Sequence, residues 1–170
     1  SLDLLSVDPA TGASRVILTQ TGQAWVDLSS DFRALHDGRF IWSNEDDGWR
    51  HLYLYEADGR RVRQITRGPW PVKELDGINE ETGEVFFTAS MRDGRERPYE
   101  QQLFRTTLDG AAPVAVTPGG GWWSASVNRT GTAFVGNYSD PRTPPQSALY
   151  RADGSRIRWI EENRLDENHP

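Results

Sequence analysis

Apolar and aromatic residues in this chain form short runs, separated by turns rich in glycine and aspartate. The clearest run is Leu52-Tyr53-Leu54-Tyr55, which is apolar and aromatic throughout. A continuous run of this kind is typical of a strand that is covered on both faces. Helical periodicity is nearly absent, and Glu161–Asn168, the one stretch with helix-forming residues, is too short and polar for a stable helix. The pattern predicts an all-β chain.

The turns between these runs recur at a common spacing. Thr11-Gly12, Asp58-Gly59, Asp109-Gly110 and Asp153-Gly154 form one series, whose glycines are 47, 51 and 44 residues apart. Asp37-Gly38, Thr82-Gly83 and Thr130-Gly131 form a second series, spaced by 45 and 48 residues. Thr19…Gly22, Thr66…Gly68 and Thr117…Gly119 form a third. A period of roughly 40–50 residues with four strands in each unit is typical of a β-propeller.

The repeat predicts about three and a half four-stranded antiparallel blades. An incomplete blade covers residues 1–20, complete blades cover 21–67, 68–118 and 119–160, and residues 161–170 form a linker. The incomplete blade has the strands Leu2–Val7 and Val16–Thr19, and the innermost strands of the complete blades are Trp25–Leu28, Leu75–Asn79 and Ser124–Asn128. The other predicted strands are Arg39–Ser43, His51–Tyr55, Val62–Thr66, Val85–Ser90, Gln101–Thr106, Val114–Thr117, Ala133–Tyr138, Ala148–Arg151 and Ile157–Ile160.

Two long connections, Met91–Glu100 and Ser139–Gln146, interrupt the series of tight turns. Both join the second and third strands of a blade, so we expect both to be irregular loops on the same rim of the propeller. Loops at such a rim commonly carry function.

Composition narrows the classes of partner. Seven Trp, six Phe and five Tyr accompany a hydrophobic fraction of only 36%, which suits thin sheets covered by aromatic rings. The net charge is −6, and the 19 Lys and Arg residues are scattered, which argues against nucleic acid or an anionic membrane as a partner. The absence of cysteine excludes disulfides and cysteine-based zinc sites. We expect no cofactor and no membrane contact.

One acidic run has the composition of a calcium loop. Asn44-Glu45-Asp46-Asp47-Gly48 places acidic side chains and glycine as an EF-hand loop does, but the twelfth position is Tyr55 and not glutamate. We therefore interpret the run as a solvated acidic turn and predict no metal site.

No catalytic nucleophile is evident. The chain lacks a G-x-S-x-G motif, and Gly121-Trp122-Trp123-Ser124 does not have its spacing. The three histidines, His36, His51 and His169, are not beside a nucleophile in the sequence. We assign no catalytic residue, and we interpret the histidines as turn, packing and tail residues.

One segment carries a resemblance to a known family. The segment reads Phe40-Ile41-Trp42-Ser43-Asn44-Glu45-Asp46-Asp47-Gly48-Trp49-Arg50-His51-Leu52-Tyr53-Leu54-Tyr55 and continues with Gln64-Ile65-Thr66-Arg67-Gly68-Pro69-Trp70-Pro71-Val72. It resembles the propeller of the dipeptidyl peptidase IV family, within the prolyl oligopeptidase group of serine peptidases. Propellers of that family carry the sequence motif W-S-E/N-x-D-G-W/Y-x-H, then L-Y-L-Y, then L-T-x-G-x-W-x-V. Ala24-Trp25-Val26 and Asn137-Tyr138-Ser139 are further similarities.

The resemblance implies a serine peptidase that releases dipeptides from N-termini. In the family, an eight-bladed propeller caps and filters access to a Ser-Asp-His triad, which lies in an α/β-hydrolase domain after the propeller. A double-glutamate motif on the propeller holds the substrate amine. Neither the Ser-Asp-His triad nor the double-glutamate motif is in this chain. The pairs Glu80-Glu81 and Glu161-Glu162 lack the aromatic residues that flank the family's double glutamate. The chain corresponds to the last half of the propeller, and residues 161–170 are expected to lead toward the hydrolase domain of a periplasmic or secreted enzyme.

The same resemblance supplies two candidate site residues. In the family, the inner strand after A/G-W-V faces the extended substrate subsites, so Trp25 and Asp27 are candidate substrate-facing residues, with packing of Trp25 between blades as the alternative. Expected partners are peptide substrates of the intact enzyme, its hydrolase domain and its remaining blades. Uncovered apolar blade faces and an open strand edge at Val16–Thr19 also predict self-association of the isolated chain.

Two other functions are compatible with the sequence. One is a stand-alone propeller that binds protein or carbohydrate, and the other is a different peptidase of the prolyl oligopeptidase group, such as an acylaminoacyl peptidase. A G-x-S-x-G motif after Pro170 would favour a peptidase, whereas a stop codon there would favour a binding module.

Overall fold

A computed structural model describes residues 1–22, 26 and 30–164, and these residues form strands and no helix. Accordingly, no described segment is a helix that could cross a membrane. The strands are β1 (Leu2–Val7), β2 (Ser14–Gln20), β3 (Arg33–Ala34), β4 (Phe40–Asn44), β5 (His51–Tyr55), β6 (Arg61–Gln64), β7 (Val72–Asn79), β8 (Glu84–Ala89), β9 (Met91–Arg92), β10 (Arg95–Glu96), β11 (Gln102–Thr107), β12 (Val114–Ala115), β13 (Trp122–Val127), β14 (Ala133–Asp140), β15 (Thr143–Arg151) and β16 (Arg156–Glu161).

The strands assemble into three four-stranded antiparallel meanders. The first meander is β3-β4-β5-β6, the second is β7-β8-β11-β12 and the third is β13-β14-β15-β16. The strands β1 and β2 form a two-stranded N-terminal hairpin, and β9 and β10 form a short hairpin inserted in the second meander. The predicted all-β class with four-stranded antiparallel blades is confirmed.

Each meander packs face to face against its neighbours. Leu52 and Leu54 of β5 lie in one apolar cluster with Val85 and Phe87 of the second meander. The alternate residues Tyr53 and Tyr55 face the opposite side and pack with Leu4 and other apolar residues of the N-terminal hairpin. Because successive side chains of a strand point to opposite faces, β5 is buried on both sides, as its continuous apolar run predicts.

The second meander repeats this arrangement. Phe87 packs toward the first meander, whereas the adjacent Phe86 packs with Phe134 and Tyr150 of the third meander. Phe86 and Phe87 are both fully buried. Burial on both faces is what a propeller requires, since a single blade cannot cover its own two faces.

The turns of the first glycine series position one sheet against the next. Gly59 and Gly154, which connect the third and fourth strands of their meanders, both have φ 88°. A Cβ on Gly59 would overlap the carbonyl oxygen of Ile17 in the N-terminal hairpin, and a Cβ on Gly154 would overlap that of Val116, which follows β12. The turn glycine is therefore required by the backbone conformation and by the close approach of the preceding sheet.

Two threonines of the third series close the fourth strands of the first two meanders. Thr66 Oγ1 accepts a hydrogen bond from Leu52 N at 3.0 Å, and Thr117 Oγ1 accepts one from Leu103 N at 3.0 Å. In both meanders the threonine side chain takes the place of a backbone partner where the fourth strand ends. Thr19, the first of the series, instead donates to the Asp3 carboxylate within the N-terminal hairpin at 2.7 Å.

The connection Ser139–Gln146 is not the long irregular loop that its prolines predict. Strand β14 continues to Asp140, β15 begins at Thr143, and only Pro141 and Arg142 lie between them. The Asp140 carboxylate accepts hydrogen bonds from Arg142 N at 2.7 Å and Thr143 Oγ1 at 3.0 Å. The adjacent Pro144-Pro145 lies where the pairing of β14 with β15 is irregular, so no ladder bond depends on the missing proline N–H groups.

The connection Met91–Glu100 also contains regular structure, contrary to the prediction of an irregular loop. Its hairpin β9–β10 turns at Asp93 and Gly94, with φ 52° and 72°. Two successive residues in the left-handed region are typical of a tight two-residue hairpin turn. Arg97 N donates to Ser90 O at 2.8 Å and ties the segment to the end of β8.

The predicted inner strand Trp25–Leu28 lies, apart from Val26, outside the described residues. The first described strand of that meander is the two-residue β3. The blade limits inferred from the repeat stay predictions.

Candidate functional site

The two predicted substrate-facing residues, Trp25 and Asp27, lie outside the described residues. Their roles stay predictions.

The acidic turn that follows β4 is engaged in contacts within its own sheet. Asn44 donates from its side-chain amide to the Tyr55 hydroxyl at 2.8 Å, in a buried position. The Asp46 carboxylate accepts from Arg61 at 2.9 Å, and Gln64 donates to the Asp47 carboxylate at 2.6 Å. In the part of the chain that the structure describes, no three His, Cys, Asp or Glu side chains come together as a metal site.

His51 is buried and held in place by contacts with its neighbours. Its Nδ1 lies 3.0 Å from Thr66 Oγ1, its Nε2 lies 3.0 Å from Gly68 O, and its ring makes an edge contact with Trp70. A carbonyl oxygen only accepts, so Nε2 carries the proton and Nδ1 accepts from the threonine hydroxyl. Burial lowers the pKa of His51 and favours this neutral form. Both ring nitrogens are occupied, which leaves no lone pair for a general base.

A recess of about 580 Å³ opens between the first strands of the three meanders. Its walls are residues 33–36 of the first meander, residues 76–78 and 80 of the second, and residues 127–129 of the third. We name it the inner recess. In a propeller the first strand of each blade faces the central axis, so the inner recess is a candidate site on the channel wall.

The charged side chains of the inner recess come from all three meanders. His36 Nδ1 lies 2.9 Å from Glu80 Oε1, and His36 N donates to Glu80 Oε2 at 2.8 Å. Arg33 and Arg129 line the same walls and are exposed. Among the described residues, neither guanidinium has an acidic partner within ion-pair distance.

Asp76 is the most perturbed acidic group of the inner recess. Both carboxylate oxygens are closed to solvent, and neither has a hydrogen-bond partner among the described residues. Desolvation, followed by the negative charge of Glu74, raises the pKa of Asp76 to about 8, while Thr88 beside it lowers the pKa by less. Asp31 also raises it. Asp76 is therefore largely protonated at pH 7.

Asp31 ties the first two meanders together beside this group. Its buried carboxylate accepts from Arg50 at 2.6 Å and from the backbone N–H of Leu75 in β7 at 2.9 Å. The bond to Leu75 crosses from one sheet to the next. It fixes the position of β7, which carries Asp76.

Sequence reasoning missed the inner recess, and no strong signal pointed to it. Asp76 lies between the apolar residues Leu75 and Ile78, but β7 also contains Lys73 and Glu74, so a further carboxylate in this strand does not stand out. Arg33 and Arg129 carry no signal either. Their meeting depends on how three separate sheets pack.

Comparison with known proteins gives a consistent result for most of the chain. Residues 1–145 match the family model of the dipeptidyl peptidase IV (DPP IV) N-terminal region. A probable dipeptidyl peptidase 4 from Aspergillus flavus is 24% identical over 169 residues, which cover 94% of this chain and 22% of that protein. A dipeptidyl peptidase 4 from Trichophyton rubrum is 24% identical over 158 residues, which cover 90% of this chain and 20% of that protein.

Solved structures share the fold. The crystal structure of Porphyromonas gingivalis dipeptidyl peptidase 4 matches with a TM-score of 0.83 at 24% identity, over 95% of this chain and 22% of that chain. A putative dipeptidyl aminopeptidase IV from Bacteroides ovatus matches with a TM-score of 0.75 at 20% identity, over 92% and 25%. The chain thus spans between about a fifth and a quarter of the length of these proteins. Because the family model covers well over half of it, the chain belongs to the dipeptidyl peptidase IV N-terminal region family.

Proposed function

We propose that this chain is a non-catalytic propeller segment of a serine-type dipeptidyl peptidase, in which it caps the active site and filters peptide substrates. The observation that carries the proposal is the family match over residues 1–145. The relatives named dipeptidyl peptidase 4 are four to five times longer than the matched region, so the hydrolytic chemistry is assigned to another part of the full-length protein.

Two features support a non-catalytic role for the segment itself. The sequence has no G-x-S-x-G motif, and His51, the buried histidine, uses both ring nitrogens in structural contacts. Nucleophilic hydrolysis requires an activated nucleophile and an oxyanion hole.

The packing of the sheets supports a filtering role. The first two meanders bury both faces of their central strands, the third buries the face that packs on the second, and all three present their first strands to one recess. A wall built from tightly packed strands keeps its width, because close-packed interiors deform little. Such a wall suits selection of substrates by size.

The test compares the full-length protein with this chain alone, on Gly-Pro and Ala-Pro chromogenic dipeptides. We expect hydrolysis by the full-length protein and none by the chain. We also expect the full-length protein to release a dipeptide from short peptides and to leave a folded protein with the same N-terminus intact. Turnover by the chain that disappears in the Ser124→Ala or His51→Gln variant would contradict the non-catalytic assignment. Equal cleavage of peptide and folded protein would contradict the filter.

A further inference from the structure

The inner recess presents two exposed arginines in an acidic chain. Arg33 and Arg129 line it from the first and third meanders, and among the described residues neither has an ion-pair partner. The chain as a whole carries a net charge of −6. Two guanidinium groups in one concave surface concentrate positive potential there and attract anionic ligands.

The acidic groups around the inner recess offset only part of this charge. Glu80 lies against His36 and forms an ion pair with it only when the imidazole is protonated, so the Glu80 carboxylate offsets one of the two guanidinium charges, whereas the Asp76 oxygens are shielded from solvent. Glu80 and Glu81 both line an adjoining recess of about 260 Å³ together with Arg129. Because Glu80 is held by His36, Glu81 is the carboxylate placed to compete for Arg129, which gives a separate way to test the site.

The chemistry of the two arginines indicates the ligand. A guanidinium presents a planar fork of donors that matches the two oxygens of a carboxylate. A volume of about 580 Å³ lies within the range of small-ligand sites and accommodates a short stretch of peptide. Phosphate has suitable oxygens too, but the proposed function brings peptides to this wall, and the anions of a peptide are carboxylates.

We propose that Arg33 and Arg129 bind an acidic side chain of the peptide substrate, located after the N-terminal dipeptide, so that the propeller favours acidic peptides. This inference rests on the proposed function, because the substrate must be a peptide that passes the inner recess. The two arginines would give the inner recess a preference for substrate charge, in addition to the proposed selection of substrates by size.

The experiment uses the full-length protein and pairs of peptides of equal length that begin with Ala-Pro. Each pair carries glutamate or glutamine at one later position, and the position is moved along the peptide. At one or more positions we expect KM for the glutamate peptide to be about fivefold lower than for the glutamine peptide, with similar kcat, which is typical of a partly exposed ion pair. The difference should shrink in 0.5 M salt, because salt screens exposed charges.

Variants of the full-length protein test whether the preference for glutamate peptides depends on the two arginines. The double variant Arg33→Gln with Arg129→Gln should lose the preference, and the double variant Arg33→Lys with Arg129→Lys, which keeps both charges, should retain part of it. Glu81→Gln should increase the preference by removing a competing carboxylate. Arg158→Gln, on the outer strand β16, is the matched control and should leave the preference unchanged.

Equal KM values within every pair in the unmodified protein would overturn the proposal, as would a preference that persists in the double glutamine variant. Failure of the proposed function has a different signature, since neither peptide of any pair would be cleaved. In that case fluorescence anisotropy of labelled glutamate and glutamine peptides measures the site directly. Tighter binding of the glutamate peptide supports the arginine site, and equal binding overturns it.

Discussion

Burial controls the charge of individual side chains within the sheets. Asp76 loses its hydration and gains no donor, so its carboxyl favours the neutral form. His51 also favours the neutral form, but in its case two hydrogen bonds fix the tautomer. Both side chains favour the neutral form, but the free energy of unfolding changes with pH in opposite directions for the two groups. Neutral Asp76 is favoured at low pH, whereas neutral His51 is favoured at high pH.

The raised pKa of Asp76 predicts a loss of stability with increasing pH. Its pKa is about 8 in the folded chain against an ordinary value of 3.8, so between these values the folded state binds one more proton than the unfolded state. The free energy of unfolding therefore falls as pH rises from about 4 to about 8, by up to an order of 5 kcal/mol, and is flat above. We expect Asp76→Asn to remove this loss, as measured by urea unfolding at pH 5 and pH 9.

Asp58→Asn is the control for this measurement, because Asp58 lies in an exposed turn and accepts a local hydrogen bond from Arg60 N at 3.0 Å. Its unfolding free energy should keep the pH dependence of the unmodified chain. If Asp76→Asn shows the same loss between pH 5 and pH 9 as the unmodified chain, Asp76 is ionised in the fold at neutral pH.

At the scale of single elements, the turn glycines differ in what surrounds them. Gly59 and Gly83 both have positive φ, 88° and 74°. A Cβ on Gly59 meets the backbone of Ile17, whereas a Cβ on Gly83 meets nothing within 4 Å. Substitutions in the two turns therefore distinguish the cost of backbone strain from the cost of a clash between sheets.

Gly83→Ala should cost about 1 kcal/mol through backbone strain alone. Gly59→Ala should cost at least about 2 kcal/mol more, because the N-terminal hairpin must move away from the first meander. Urea unfolding of the two variants provides the comparison. Equal costs would show that the approach of Ile17 to Gly59 contributes nothing to stability.

The elements differ in how far the sequence predicts them. Strand β5 and the turn at Gly59 follow from local rules, since a continuous apolar run and an Asp-Gly pair each have one strong structural preference. The connection Ser139–Gln146 is misread because prolines normally interrupt strands, and the irregular pairing that accommodates Pro144-Pro145 leaves no trace in the sequence. The inner recess is less predictable still. Arg33 and Arg129 are brought to it by packing between sheets, which no local pattern encodes.

At the scale of the whole molecule, apolar side chains remain uncovered on strands far apart in the chain. Leu5, Val7 and Val16 of the N-terminal hairpin are 49%, 57% and 54% exposed, and Ile160 of β16 is 56% exposed. Leu5 and Val16 are direct partners across the hairpin, and exposed apolar patches promote association. We expect the isolated chain to self-associate at micromolar concentration, which light scattering measures. A stable 19.2 kDa monomer would contradict this expectation.

The meander topology has a consequence for the speed and order of folding. Every strand of a meander pairs with strands from the same stretch of the chain, so the backbone ladders close only short loops. Short loops cost little entropy to close, and structures built from them fold faster than those with distant pairings. Each meander can therefore complete its ladder before the next has left the ribosome. The growing chain then adds one sheet at a time to an already formed apolar face.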